Sequence, residues 1–220
     1  LHFRCELSDP LLMETLEPLA KQHPVALASL MDHTPGKRQW RDPTALKSYM
    51  SRNGMTAAEI EASLAKRIER GSLYAPQNWT AVLALFADKN VVLATHDDTT
   101  IADIDQGAEA GIRISEFPCS IEAAQHARHK GMQTIGGSPN IVRGGSHSGN
   151  VSIMDLAKAD LLDALSSDYV PSSLLQAVFA VARELDRPLH GVVRLVTSNT
   201  ANMVGMDDRG VIAPGKRSDL

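Results

Sequence analysis

Residues 91–100, VVLATHDDTT, carry the first chemistry this chain offers. An apolar, partly β-branched run stops abruptly at His96, Asp97 and Asp98, so ligand-type side chains sit at the C-terminal end of a buried strand. The arrangement recurs. Glu6 ends HFRCE, His33 ends VALASLMDH, and Asp168 ends DALSSD. Two imidazoles with two carboxylates form a borderline-to-hard N/O donor set suited to Zn²⁺, Mn²⁺ or a similar divalent ion. Glu6, His33, His96 and Asp168 are therefore the candidate metal ligands, for one or two ions, with Zn²⁺ the first choice. One strand-end histidine alone is more often a hydrogen-bonded structural residue; four strand ends together argue for a site. The in-phase neighbours Ser29 and Met31, Val92 and Ala94, and Ala164 and Ser166 are apolar or small, which leaves room for an ion and a water.

Asp168 has a second use. A carboxylate at the end of the last strand can hold a metal and also take a proton from activated water, which makes it the candidate catalytic base. It could equally cap the helix that follows near Pro171. Asp97 and Asp98 read as groups that orient imidazole N–H, with helix capping an equal alternative for Asp98.

Residues 141–151, IVRGGSHSGNV, form the second chemical stretch. Glycines expose backbone N–H groups, serines add hydroxyl donors, Arg143 adds a bidentate donor, and a helix start follows, all of which favour phosphate. The candidate substrate-binding residues are Arg143, Ser146, His147, Ser148 and Asn150. His147 fits a substrate contact or a proton donor equally well. Lys37 and Arg38, just past His33, would add positive charge, against the alternative of a solvated pair. His2, Arg4 and Glu6 share one strand face, where an interior ion pair between Arg4 and a neighbouring carboxylate would offset the cost of burial. His23, His126, His129 and His190 read as surface residues, and Met31 and Met132 as core fillers.

The elements that must position these groups alternate. Strands are expected over residues 1–7, 25–32, 91–97, 112–117, 133–138 and 163–168. Helices are expected near 10–22, 43–52, 56–70, 79–88, 101–110, 120–130, 152–159, 172–185 and 190–204, with residues 139–150 a loop. Residues 34–78 form a long excursion of the kind that usually serves function. Strict βαβα order without hairpin signals implies parallel strands covered on both faces. Six such units are three-quarters of a TIM-type (β/α)8 barrel, which typically takes about 250 residues, and functional groups at strand C-termini suit that fold. A doubly wound open sheet is the alternative, but no glycine fingerprint follows the first strand. The barrel reading places two leading strands outside this chain, which opens in mid-strand without methionine and so reads as part of a longer protein. The expected organisation is a partial barrel over residues 1–204 and a glycine- and charge-rich tail over 205–220.

Bulk composition narrows the partners. At 220 residues with a formal charge of −4, the chain has no basic stripe for nucleic acid. No apolar run reaches membrane-spanning length, and no signal-peptide pattern opens the chain. Two isolated cysteines, Cys5 and Cys119, fit a reducing cytoplasm better than a disulfide framework. The expected partner is a small phosphorylated molecule, with homo-oligomerisation open.

The segments HFRCEL, SLMDHTPGKRQ, ATHDD, EFPCSIEAA, GSPNIVRGGSHSGNVS, LSSDYVPSSLL and DRGVIAPGKRSDL resemble, in order, the phosphonate-metabolism branch of the amidohydrolase superfamily. The likeness covers essentially the whole chain. It implies a metal-dependent barrel that hydrolyses a ribosyl 5-triphosphate to a 5-phosphate and pyrophosphate. Under it Glu6, His33, His96 and Asp168 would be ligands and Asp168 the base, while the superfamily's first ligand pair would precede Leu1. Where the superfamily commonly has a histidine after the sixth strand, this chain has Glu116-Phe117-Pro118. The closing segment resembles the superfamily's return towards a small β-sandwich, which the chain as given would lack. On this reading the 220 residues alone are expected to be inactive. An amidohydrolase cleaving a C–N bond (a deaminase or cyclic amidase) and a non-catalytic barrel are the competing readings.

Overall fold

The computed structural model describes residues 1–146 and 150–217. Six parallel strands, β1 (His2–Glu6), β2 (Leu27–Met31), β3 (Val92–His96), β4 (Ile114–Glu116), β5 (Gln133–Gly137) and β6 (Ala164–Ser166), pair in sequence order. The order never reverses, which a doubly wound sheet would require. The sheet also curls. Five gaps of about 4.8 Å would hold the edges of a flat sheet about 24 Å apart. Yet Arg4 Nη1 of β1 lies 3.8 Å from Asp168 Oδ1, just past β6.

The helices are α1 (Leu12–Gln22), α2 (Pro43–Arg52), α3 (Ala57–Phe86), α4 (Ile101–Glu109), α5 (Ile121–His129), α6 (Ser138–Arg143), α7 (Ile153–Lys158), α8 (Ser173–Glu184), α9 (Leu189–Val193) and α10 (Ser198–Met203). Strand alternation separates two faces. Leu27, Ala94, Ile114, Ile135 and Ala164 pack together on the concave face with Met203. On the convex face, Cys5, Ala28, Leu30 and Ile112 pack against Leu12, Leu16, Val82, Phe86 and Ile104 of the covering helices. Apolar residues thus fill most of the lower concave face, where β1 adds His2, hydrogen-bonded to Ser29, and Arg4, and the polar strand ends meet above them.

Three boundaries differ from the sequence reading. The two helices expected across residues 56–88 are one, α3, running for 30 residues through Pro76. A capping box between Thr56 and Glu59 starts it, and Gly71 lets it pass against the side chain of Thr34. The Asn78 amide anchors it by donating to the carbonyls of Leu7 and Asp9, both at 2.8 Å. Proline removes only one N–H, so these contacts outweigh a local break. Part of the expected loop 139–150 is helix α6, with Pro139 in its first turn, where a missing N–H costs nothing. The single helix expected over 190–204 divides at Thr197, whose backbone leaves helical geometry.

Candidate metal centre and its cavity

Histidine 96 is the last residue of β3, on the concave face in register with Glu116 of β4. Its Nδ1 lies 2.7 Å from Glu116 Oε2, which makes Nδ1 the protonated nitrogen and leaves the Nε2 lone pair facing outward. His33 follows β2 and repeats the device: Nδ1 sits 2.6 Å from Glu6 Oε2, and the His33 backbone N–H donates to Glu6 Oε1 at 3.3 Å. The two rings meet edge to face at 5.7 Å between centroids.

Asp97 completes the group. Strand alternation would turn it away from His96, but its φ of +56° reverses the chain and returns the carboxylate to the same side. Aspartate tolerates that left-handed conformation better than most residues. Asp97 Oδ2 lies 3.4 Å from His33 Nε2 and 3.5 Å from His96 Nε2, is buried, and accepts no hydrogen bond among the described residues. The donor atoms of His33, His96 and Asp97 all fall within 4.8 Å of one another. With both imidazoles neutral, three lone-pair-bearing atoms converge here, with only the Arg4 guanidinium donating to one of them, His96 Nε2, an arrangement that suits a cation. Proton binding reflects the same field. Burial opposes charge on His33, but the Asp97 and Glu6 carboxylates beside its ring outweigh it and raise its pKa to about 9.

These atoms open on a cavity of about 280 Å³, lined also by Arg4, Asp168, Arg143, Ser146, Asn150 and Tyr169. Asp168 enters it from a positive-φ backbone, and Gly137 beside it leaves the carboxylate space. Burial raises the Asp168 pKa above the ordinary carboxylate value, with the Arg4 guanidinium pulling the other way. Arg143, at the end of α6, donates to the Tyr169 hydroxyl at 3.4 Å. Ser146 and Asn150 reach the same wall, while His147 and Ser148 lie outside the described residues.

Several sequence expectations change here. Glu6, expected as a ligand, has its carboxylate engaged by His33 and by Ser8 (Oγ at 2.7 Å) and is not one of the three converging residues. Asp97, expected to orient an imidazole, is among the converging atoms. Lys37 and Arg38 do not line this cavity. Lys37 Nζ pairs with Asp32 at 3.0 Å. Arg38 is buried, pairs with Asp98, and donates to the His96 carbonyl at 3.0 Å. Asp98 is fully buried, accepting also from Thr95 and from Ser115 at 2.5 Å, and does not cap α4, a role taken by Thr100 with Asp103. The Arg38–Asp98 pair thus buttresses the backbone that presents His96 and Asp97. Arg4, expected to form an interior ion pair, has only a loose 3.8 Å contact with Asp168, with both side chains open to the cavity. Glu116 is the one carboxylate of this layer that the residue pattern did not single out as useful. Its signal was its place in phase with Ile114, one strand along from His96.

Over its whole length, and over 223 aligned residues, the chain is 42% identical to α-D-ribose 1-methylphosphonate 5-triphosphate diphosphatase of Escherichia coli (strain K12). The chain is a homologue of that diphosphatase. It spans 59% of that protein's length. No family model matches the chain. Among solved structures, that of an uncharacterized protein superposes with a TM-score of 0.53 at 18% identity, over 66% of this chain and 42% of the other, a likeness of fold alone. An uncharacterized metal-dependent hydrolase from Pyrococcus furiosus gives a TM-score of 0.43 at 16% identity, over 75% of this chain and 36% of the other, too low to argue from.

Proposed function

We propose that this chain carries most of the active site of a divalent-metal hydrolase that cleaves α-D-ribose 1-methylphosphonate 5-triphosphate to the 5-phosphate and pyrophosphate. The observation that carries the reading is the buried, unsatisfied Asp97 Oδ2 between two outward-facing Nε2 atoms, in a chain 42% identical to a diphosphatase. The donor chemistry fits a Zn²⁺-type ion held by His33, His96 and Asp97, with Asp168 able to join from the facing wall. When bound, such an ion supplies Lewis-acid polarisation and lowers the pKa of water.

The chain's own residues supply the rest. Glu6 and Glu116 fix the imidazole tautomers. Asp168 takes the proton of the attacking water, a task helped by burial, which raises its pKa above the ordinary carboxylate value. Arg143, with Ser146 and Asn150 on the same cavity wall, binds phosphate oxygens and orients the triphosphate, a role we extend to His147 and Ser148 from their sequence alone. We further assign the fold to the amidohydrolase-type (β/α)8 barrel, with residues 1–204 as six of its eight units. Residues 205–220 then form the return towards a small β-sandwich.

The reading is tested on the full-length protein by metal analysis and by pyrophosphate release. Asp168→Asn should retain the metal and lose about 10²- to 10⁴-fold in kcat, and His96→Ala should lose the metal. Undiminished pyrophosphate release by both variants would remove the site.

A further inference from the structure

Arg4 lines the cavity beside His96 and Asp168, and the machinery above gives it no task. β1 carries it onto the concave face, where Nε donates to Met31 Sδ at 3.2 Å and Nη2 lies 3.1 Å from His96 Nε2. Nη1 stands 3.8 Å from Asp168 Oδ1, and the side chain, 45% exposed, lines the cavity. A guanidinium has five N–H donors and no lone pair. The contacts with Met31 and His96 use two of them; the remaining three, on Nη1 and Nη2, have only the distant Asp168 among the described residues.

The contact with His96 is the informative one. With Nδ1–H on Glu116, His96 has one lone pair, on Nε2, and Arg4 occupies it. That lone pair is also the one His96 would offer to a metal. Guanidinium and metal therefore exclude each other at this atom. We propose that Arg4 is an anion-binding residue whose engagement is switched by metal loading. Without metal, Nη2 caps His96. With His33, His96 and Asp97 loaded, Arg4 is displaced from Nε2 and turns its donor fork onto a phosphate oxygen of the substrate. Met31 and Asp168 retain the side chain nearby, so a rotation suffices. A divalent ion and a guanidinium at close range repel unless an anion lies between them, so metal and phosphate should bind cooperatively. A planar fork suits this role, since it meets two oxygens at once.

The inference rests on the metal reading given under Proposed function, and its test separates the two. Zn²⁺ affinity of the full-length protein is measured by competition with a chromophoric chelator. Inorganic pyrophosphate affinity is measured by calorimetry on the metal-free and the stoichiometrically loaded protein. Wild type should bind pyrophosphate more tightly once loaded. Arg4→Met should bind Zn²⁺ as tightly as wild type or more so, having no guanidinium to displace. Its loaded form should bind pyrophosphate about 10- to 100-fold more weakly. Arg4→Lys, which keeps the charge but not the fork, should fall between and serves if Arg4→Met does not fold by circular dichroism. Unchanged pyrophosphate affinity in a variant that binds Zn²⁺ overturns the Arg4 proposal alone. Weakened Zn²⁺ binding in both variants overturns it in favour of a purely structural role. Failure of wild type to bind Zn²⁺ overturns this proposal and the metal reading together.

Discussion

Glu116 Oε2 accepts a hydrogen bond from His96 Nδ1 at 2.7 Å, and both side chains are almost completely buried. The carboxylate decides which nitrogen carries the proton and which way the other points. Burial would raise the Glu116 pKa, but the contact with His96 outweighs it and keeps the carboxylate ionised.

Glu116→Gln should therefore weaken Zn²⁺ binding by about 10- to 100-fold, because the imidazole loses its tautomeric anchor while every ligand atom remains. Chelator competition measures this. A wild-type affinity in the variant would mean that His96 is held by packing against Phe117 instead.

Arg38 and Asp98 make a different prediction. Their ion pair is buried, with side-chain exposures of 6% and 0%. Breaking one partner leaves an uncompensated charge inside the fold, so Arg38→Met should destabilise the protein by about 3–5 kcal/mol. The double change Arg38→Met with Asp98→Asn should recover part of that loss. Urea unfolding of the three proteins checks it, and additive losses in the double variant would contradict it.

The pair Glu6–His33 gives the metal-free protein a pH signature. His33 is held at a pKa of about 9, above its ordinary 6.5. A raised value means the folded state binds the proton more tightly, so this contribution is complete below about pH 6.5 and disappears as pH rises through about 9. Burial alone would raise the Glu6 pKa, but hydrogen bonds from His33 and Ser8 lower it, so its contribution is present above the ordinary 4.5 and is lost as pH falls. Chelator-stripped protein should thus melt at its highest temperature between about pH 5 and 6.5 and lower at pH 9.5. Saturating Zn²⁺ should flatten the alkaline limb. A melting temperature that rises from pH 6.5 to 9.5 in stripped protein would contradict the sign.

The alternation of short apolar runs with helical periods determined the six parallel strands. Burial on both faces leaves a strand little choice but a near-continuous apolar sequence. Polar residues at the ends of those runs marked His33, His96 and Asp168 for the same reason, since a charge there must have a partner or a purpose. The resemblance in segment order agrees with the homology found over the whole chain.

Other features depended on chain reversal and on neighbours distant in sequence. The left-handed backbone at Asp97 sends two successive residues to one side, which a period-two reading forbids. Whether Glu6 holds metal or holds His33 depends on where β2 ends relative to β1, a matter of register and not of residue type. Arg38, which by sequence is either a substrate contact or a solvated charge, pairs instead with Asp98, brought to it across 60 residues by the fold. Helix α3 passes Pro76 because Asn78 finds the carbonyls of Leu7 and Asp9, just past β1. Local sequence determined which groups needed satisfaction, and three-dimensional packing decided which partner satisfied each, because a buried charge is stabilised by its nearest neighbour in space, however distant in the chain.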